Sequence, residues 1–243
     1  MSNPIKFKDG IANAVKDTTL SEYIEMDPTR VITFFNDFHT WLATDWVDTA
    51  VSTGAGTSAA VMSDTYVGGA IVITNAASDN DCYWCQQSHD GGTNDSEVWR
   101  IQRGKKAWMK TKFQGADVDQ TDFMVGIHIA DTTPVASAPS DGVWFHSPDE
   151  SAKINFHCVK NSTATSSIAI GDVSMIDATD ITVGFYWDGV SIFKLYVNDI
   201  YVGSMVATTV PDDEYMAISF GCQNGEATAN TMTIDYIFAA CER

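Results

Sequence analysis

Two cysteines separated by two residues, Cys82 and Cys85, have the spacing of a redox or zinc pair. A zinc site needs two more ligands, and His89 is the one candidate close by. A redox pair normally opens a helix after a strand of a βαβ unit, and the surrounding sequence predicts no such unit. If this segment is a strand, its period of two places the thiols on opposite faces. We therefore expect buried free cysteines, with no metal and no cofactor.

Acidic residues are numerous, but their spacing lacks the pair of carboxyl groups that glycoside hydrolysis requires. Asp149 and Glu150 are adjacent, follow a proline and are predicted to lie in a turn. Residues 117–122 contain three aspartates that could bind calcium. An EF-hand-like loop would have Gly at its sixth position and Glu at its twelfth, where this chain has Asp122 and His128. The pattern favours a solvated acidic loop and a protein that is not an enzyme.

One stretch of this acidic chain is basic. Although the net charge is −18, six of the fourteen basic residues fall within thirteen positions. They bracket a predicted hairpin turn at 103–106, and such a patch could bind an acidic neighbour. The alternative is that they form the solvated face of one hairpin, since outward lysines also protect exposed strands from unwanted pairing. These residues are Arg100, Arg103, Lys105, Lys106, Lys110 and Lys112.

Tryptophan is abundant, with seven residues. Sugar-binding sites stack rings on exposed aromatic side chains, whereas most tryptophans of a β-sandwich pack in the core or at its rim. Trp108 alternates in phase with Lys110 and Lys112, so it is predicted to point outward. Trp108 and Trp144 are the candidate glycan-binding residues.

The elements that must position these residues are strands. Residues 181–206 contain three apolar-rich runs joined by Asp-Gly and Asn-Asp dipeptides. These dipeptides suit two-residue hairpin turns, so the stretch predicts a β-meander. With a loop at 49–64 and no long amphipathic helix, the chain predicts an all-β fold, an antiparallel β-sandwich of two packed sheets. Strands are predicted near 30–35, 68–75, 96–103, 106–115, 122–130, 141–147, 152–160, 165–170, 181–187, 190–197, 200–206, 214–222 and 231–240.

Residues 1–30 differ from the body of the chain. They contain few aromatic residues and a weak helical stripe, and a turn at Asp27-Pro28 marks their end. We predict an N-terminal extended arm over 1–30 and a sandwich domain over 31–243. The apolar residues of the arm are candidates for binding a partner. They are Ile5, Phe7, Ile11, Val15 and Leu20.

Three motifs support a more specific fold. Residues 185–189 (FYWDG) and 195–199 (LYVND) form a hairpin, residues 232–237 (MTIDYI) a closing strand, and residues 34–38 (FFNDF) an opening strand. Together they resemble the W-x-x-D…Y-V-D-G hairpin, the V-D-Y-V strand and the first strand of concanavalin A-like lectins and glucanases. The resemblance implies a concanavalin A-like jelly roll whose opening strand pairs beside the last. Enzymes of that family carry acids spaced E-x-D-x-x-E or E-x-D-x-E, and residues 141–150 have no such triplet.

A narrower resemblance concerns tailed-phage virion proteins that carry this jelly roll behind an N-terminal arm. It implies a non-enzymatic capsid decoration or cement protein, or another particle-surface protein, assembled in the host cytoplasm. Its partner would be a capsid or other virion protein, bound through the arm and the basic hairpin. We also expect it to be a homo-oligomer, and a surface glycan is a further potential ligand.

Charge and hydropathy argue against nucleic acid and membranes as partners of this chain. A chain this acidic is repelled by nucleic acid and by anionic membranes, so neither is an expected partner. No apolar run reaches the roughly 20 residues of a membrane span, and the N-terminus lacks the apolar core of a secretory signal.

The second hypothesis for the function is a carbohydrate-binding, lectin-like module. The third is a glycan hydrolase whose acid pair includes Asp149 or Glu150.

Overall fold

A computed structural model describes residues 19–20, 30–88 and 97–243, with residues 165–169, 171 and 172 described by their backbone alone. No described helix is long and apolar enough to cross a membrane. The elements are β1 (Val31–Asn36), a 3₁₀ helix (Ala43–Asp45), β2 (Trp46–Val51), β3 (Ala59–Met62), β4 (Ile71–Thr74), β5 (Cys82–Gln87), β6 (Ala107–Gly115), β7 (Thr121–His128), β8 (Gly142–Ser147), β9 (Lys153–Lys160), β10 (Thr163–Ser174), β11 (Ile181–Trp187), β12 (Ile192–Val197), β13 (Ile200–Val206), β14 (Ala217–Asn224) and β15 (Thr231–Glu242).

The strands form two antiparallel sheets. Sheet A runs β13-β12-β11-β6-β15-β4-β3, and sheet B runs β10-β9-β8-β7-β14-β5-β2. In sheet A, β15 pairs with β6 along one side. Along its other side it pairs first with β4 and then, over residues 237–242, with β1. The predicted pairing of the opening strand beside the last is therefore confirmed, as is the two-sheet all-β architecture.

A β-bulge at Asp235 changes which side chains of β15 face the core. The register with β6 shifts just after Ile234. One extra residue reverses which side chains face inward. Met232 and Ile234 are buried before the bulge, and Ile237 is buried after it. Both halves of β15 therefore pack apolar side chains in the core between the sheets.

Aromatic rings join the two sheets across this core. Phe185 of sheet A lies 6.4 Å from the Phe145 ring and 5.5 Å from the Phe156 ring of sheet B, measured between centroids. Near the end of β1, Phe38 packs against Phe220 of β14 at 5.9 Å. Trp46 of β2 is 4.9 Å from the same Phe220 ring. Such rings bury large apolar areas, which is the main stabilising contribution in a sandwich.

The meander is confirmed as β11, β12 and β13. Its second turn has positive φ at both Asn198 (49°) and Asp199 (61°), as a type I′ turn requires. The first turn is longer than predicted, because the Asp188 Oδ1 atom accepts the backbone N–H groups of residues 190–192. Such a side-chain cap stabilises a four-residue loop in place of a two-residue turn.

Two local predictions are wrong. Residues 49–64, predicted as a loop because they are rich in Ser, Thr, Ala and Gly, are a loop only over 52–58 and 63–64, since 49–51 complete β2 and 59–62 form β3. These are the outer strands of sheet B and sheet A, respectively, where small side chains suffice. Residues 97–103, predicted as a strand, form only one isolated bridge, between Trp99 and Met216.

The described part of the N-terminal segment contacts sheet A on the side away from the core. A Cβ atom on Gly184 would come within 2.5 Å of Thr19 Cγ2, so the glycine leaves room for this residue. Leu20 packs against a cluster that includes Trp108 and Tyr186. Leu20 is therefore engaged by its own chain. Ile5, Phe7, Ile11 and Val15 lie outside the described residues.

Two phenylalanines near the end of the opening strand test how much core packing stabilises this strand. Phe38 is fully buried, whereas Phe35 is 62% exposed. We expect Phe38→Ala to lower the free energy of unfolding by about 3–5 kcal/mol, because it removes a ring that links the two sheets. Phe35→Ala, the matched control, should cost at most about 1 kcal/mol. Urea unfolding measures both, and equal losses would contradict this packing.

Candidate functional site

The outer face of sheet B, which points away from the core, carries the polar and aromatic residues best placed for chemistry. Strand β7 shows the alternation, with Phe123 and Val125 in the core and Asp122 and Met124 on the outer face. The strand registers align the outward residues of neighbouring strands into rows. These residues are Trp84, Gln86, Asp122, Met124, His128, Trp144, His146, Asn155, His157, Ser219 and Gln223.

Two tryptophans form the apolar part of this face. A Cβ atom on Gly126 would lie 2.3 Å from the Cβ atom of Trp144, and one on Gly221 would lie 2.4 Å from Cε3 of Trp84. The two glycines therefore leave room for the indoles close to the sheet. Val135, from the connection between β7 and β8, packs against the same cluster. As a result the indoles are almost fully buried.

The polar end of sheet B, defined here by Asp122, His146 and Asp149, is more open. Asp122 Oδ1 lies 3.2 Å from His146 Nε2. The same oxygen accepts the backbone N–H of Asp149 at 3.0 Å. The Asp149 side chain occupies the space beside Gly225, where a Cβ atom on the glycine would come within 2.5 Å of it. Three residues from two strands and a loop are thus held in one cluster.

Burial and nearby carboxylates raise the pKa of Asp149. Burial is the larger cause, followed by the negative charges of Asp122, Glu150 and Asp79. His146 acts in the opposite direction. The raised pKa thus reflects the partial burial of this carboxyl group first and the neighbouring negative charges second.

His157 joins the polar end to the tryptophans. Its ring stacks on Trp144, with centroids 5.4 Å apart and an interplanar angle of 9°. Burial, with a smaller contribution from His146, lowers the pKa of His157 to about 4. Its Nε2 atom is buried without a hydrogen-bond partner. Burial thus keeps this imidazole neutral and leaves one of its ring nitrogens unsatisfied within the chain.

The structure corrects the predicted glycan-binding tryptophans. Trp108 points outward from sheet A, as its phase indicated, but it is only 1% exposed and packs against Tyr186 at 5.6 Å. The expectation of an exposed ring at Trp108 is therefore wrong. Trp144 lies on the candidate face, but at 2% exposure it supports His157 and offers little surface of its own. Outward phase did not reveal that other residues cover these rings.

The basic residues do not form a hairpin. Lys110 lies 2.7 Å from Asp199, and Lys112 bridges Asp180 and Asp235 at 2.9 and 2.8 Å. These contacts are made on the outer face of sheet A. Such half-exposed pairs contribute about 0–1 kcal/mol each to stability.

The arginines of the predicted patch are also engaged within the chain. Arg100 donates to the Asp212 carbonyl, and Arg103 donates to the Thr208 carbonyl. Lys105 and Lys106 lie in the connection that leads into β6. The predicted single basic hairpin is thus wrong, because β6 pairs with β11 and β15 and not with residues 97–103.

The cysteines are buried, as predicted. All five are free and buried. Cys85 faces the core and Cys82 the outer face, because the two cysteines are three positions apart in strand β5. His89 lies outside the described residues. Among the described side chains, no group of three or more His, Cys, Asp or Glu residues could hold a metal ion.

Sequence reasoning missed the cluster of Asp122, His146, Asp149 and His157. Asp122 and His146 are separated by a connection of irregular length, so no fixed spacing marks the pair. One signal was available, since His146 and His157 occupy outward positions on the neighbouring predicted strands 141–147 and 152–160.

Comparison with solved structures identifies the fold. The carbohydrate recognition domain of Emp47p superposes with a TM-score of 0.58 at 9% identity, covering 88% of this chain and 98% of that one. Lectin II from Ulex europaeus gives 0.56 at 10% identity, covering 87% and 99%. A prokaryotic β-1,3-1,4-glucanase from a mouse hindgut metagenome gives 0.55 at 10%, covering 85% and 98%.

This chain has the concanavalin A-like jelly-roll fold. The sequence matches no protein-family model and no curated protein. At identities of 9–10%, the similarity to these lectins and glycan-active enzymes is one of fold alone.

The lowered pKa of His157 predicts a pH dependence of stability. A histidine in the unfolded chain has a pKa near 6.5, whereas folded His157 has a pKa of about 4. Between these two pH values the unfolded chain binds a proton at this residue and the folded chain does not. Stability should be complete above pH 6.5 and fall as the pH drops towards 4. We expect His157→Gln to reduce this loss, measured by urea unfolding at about pH 7 and pH 5. An unchanged pH dependence would contradict a buried, neutral His157.

Proposed function

We propose that this chain is a non-catalytic carbohydrate-binding protein whose ligand lies at the polar end of sheet B. The observation that carries the proposal is the meeting of the Asp122–His146 pair with the stacked Trp144–His157 rings. Sugars present hydroxyl groups beside apolar ring faces. They are bound by hydrogen-bonding groups set next to flat aromatic surfaces.

The exposure of these side chains fits a binding surface. His146, Asn155 and His157 are half-buried, whereas Trp144, which stacks on His157, is buried. The imidazoles of His146 and His157, 5.7 Å apart, are thus the rings available to a ligand. Rigid support from a buried indole limits the entropy lost when a ligand binds.

The comparisons support the class of ligand. Two of the superposed proteins are named as a carbohydrate recognition domain and a lectin, and the third is named as a glucanase. The absence of an acid triplet over residues 141–150 supports binding without catalysis. The hydrolase hypothesis, whose acid pair includes Asp149 or Glu150, would use Asp149 next to Asp122.

Two substitutions test the proposed surface. On a glycan array, the wild-type chain should bind a defined set of oligosaccharides. Combining His146→Ala with Asn155→Ala should weaken that binding by about tenfold or more, because sugar hydrogen bonds and ring contact are lost. Tyr201→Ala, which removes a half-exposed aromatic ring from sheet A, is the matched control and should change nothing.

The opposite results have clear meanings. Loss of binding with Tyr201→Ala alone would place the ligand on sheet A and contradict the proposed surface. A blank array would contradict carbohydrate binding. Release of shorter oligosaccharides that stops with Asp149→Asn would make the protein a hydrolase.

A second candidate function is docking on a larger particle, as the phage resemblance implies, with the virion as its location. The exposed apolar side chains of edge strand β13 favour a protein contact there, since Ile200 is 67% and Val206 62% exposed. Exposed apolar edges commonly mark protein interfaces. A homo-oligomer would use the same kind of surface.

Charged residues at this edge test the docking candidate. Ile200→Glu with Val206→Glu should shift an oligomer towards the monomer in light scattering after size-exclusion chromatography, and should weaken co-sedimentation with particles. Val61→Glu on β3, the opposite edge of sheet A, is the control. Unchanged mass and unchanged co-sedimentation would contradict docking through the β13 edge.

A further inference from the structure

The outer face of sheet A carries a strip of aromatic side chains that is covered. Trp108, Tyr186 and Tyr196 belong to β6, β11 and β12 and point away from the core. The outer face of an antiparallel sheet is commonly solvated, yet all three side chains are almost fully buried. Tyr201 on β13, whose ring lies 5.8 Å from that of Tyr196, is 49% exposed. The cover therefore lies over the middle of the sheet and leaves its edge strand open.

Thr19 forms part of this cover. It is buried against Gly184 of β11, where a Cβ atom would lie 2.5 Å from Thr19 Cγ2 and 2.6 Å from Thr19 Oγ1. Gly184 has no positive φ that would require a glycine. Its missing side chain instead makes a notch in the sheet surface, which Thr19 fills. The notch adjoins the aromatic strip, because Gly184 pairs directly with Tyr196.

The chain before β1 returns to the same strip. Leu20 packs against the cluster that contains Trp108 and Tyr186, and Val31 at the start of β1 belongs to that cluster as well. Trp108, Tyr186 and Tyr196 each make a further interaction within the chain. The N-terminal segment is thus directed over sheet A at residues 19–20 and does not simply project away from the opening strand.

Residues 1–18, which lie outside the described residues, have a composition that suits this face. Three lysines against two aspartates give them a net charge of +1, whereas the whole chain has −18. A basic segment is attracted to an acidic body. Ile11 and Val15 supply apolar side chains close in sequence to Leu20, and burying them against aromatic rings is favourable.

We infer that the outer face of sheet A is the docking surface of the chain's own N-terminal segment, residues 1–18, bound within the same molecule. Tethering through Thr19 gives this contact an effective concentration of roughly millimolar, whereas the segment of a second copy has to bind from solution. The inference goes beyond carbohydrate binding and does not depend on it. It adds a condition to docking through the arm, because a segment held on its own sheet must be released before it can bind a particle.

Paramagnetic relaxation enhancement in the full-length chain tests the inference. A nitroxide is attached at Asn13→Cys, and the five native cysteines are protected by burial. The amides of 108–110, 184–186 and 194–196 should broaden. The control label at Asn161→Cys, in the exposed turn between β9 and β10, should broaden amides of sheet B instead. If the Asn13→Cys label leaves the sheet A amides sharp, the inference is overturned.

An isotope mixture separates the two sources of the segment. Chains that carry the nitroxide but no isotope are mixed with isotopically enriched chains that carry no nitroxide. The enriched chains should keep sharp amides, because each surface is occupied by the segment of its own molecule. Broadening of the sheet A amides in this mixture would assign the surface to the segment of a second copy and overturn docking within the molecule.

Two substitutions identify the contacts that hold the segment. Gly184→Val fills the notch, and Leu20→Asp places a charge among the aromatic rings. Each should abolish the broadening and accelerate tryptic cleavage after Lys16 about tenfold, since cleavage follows the population of the released form. Leu42→Asp, a change at an exposed leucine outside the cluster, is the matched control and should alter neither result.

Leu20→Asp decides the outcome if Gly184→Val lowers the stability of the sheet, because Leu20 belongs to neither sheet. Persistent broadening and unchanged cleavage in Leu20→Asp would contradict the inference.

Discussion

The fold depends on one strand, β15, which must pair along both edges and bury one face along its full length. It holds β6 on one side and β4 and β1 on the other, so the first and last strands close the sheet together. Its bulge at Asp235 lets both halves of the strand face the core. Without that single extra residue, one half would present its apolar side chains to the wrong face.

The inner faces of both sheets pack in the core, whereas their outer faces carry different kinds of residues. Sheet A places aromatic rings and ion pairs there, such as Trp108 against Tyr186 and Lys112 between two aspartates. Sheet B places Asp122, His146 and His157 there. Trp108 and Tyr186 are covered, whereas the two imidazoles of sheet B are partly exposed beside Asp122. This difference in exposure is the reason for placing the candidate site on sheet B.

The sequence predicted what local period and turn chemistry determine. The meander, the Asn198-Asp199 turn and the pairing of β1 with β15 followed from alternation, positive-φ residues and the family resemblance. Small-residue strands such as β3 were missed, because edge position and not side-chain size decides whether they pair. Burial of Trp108 could not be predicted from its phase, since residues distant in sequence cover it. The Asp122–His146 pair was missed for the same reason, since it depends on the register between β7 and β8.

The central claim is that ligands bind the outer face of sheet B. Backbone amide chemical-shift mapping by NMR, with glucosamine and N-acetylglucosamine oligomers as probes, tests it most directly. The account predicts that the perturbed amides cluster at 122–124, 144–149 and 155–157, with 108–112 and 184–186 unchanged. Perturbations confined to the outer face of sheet A would contradict it.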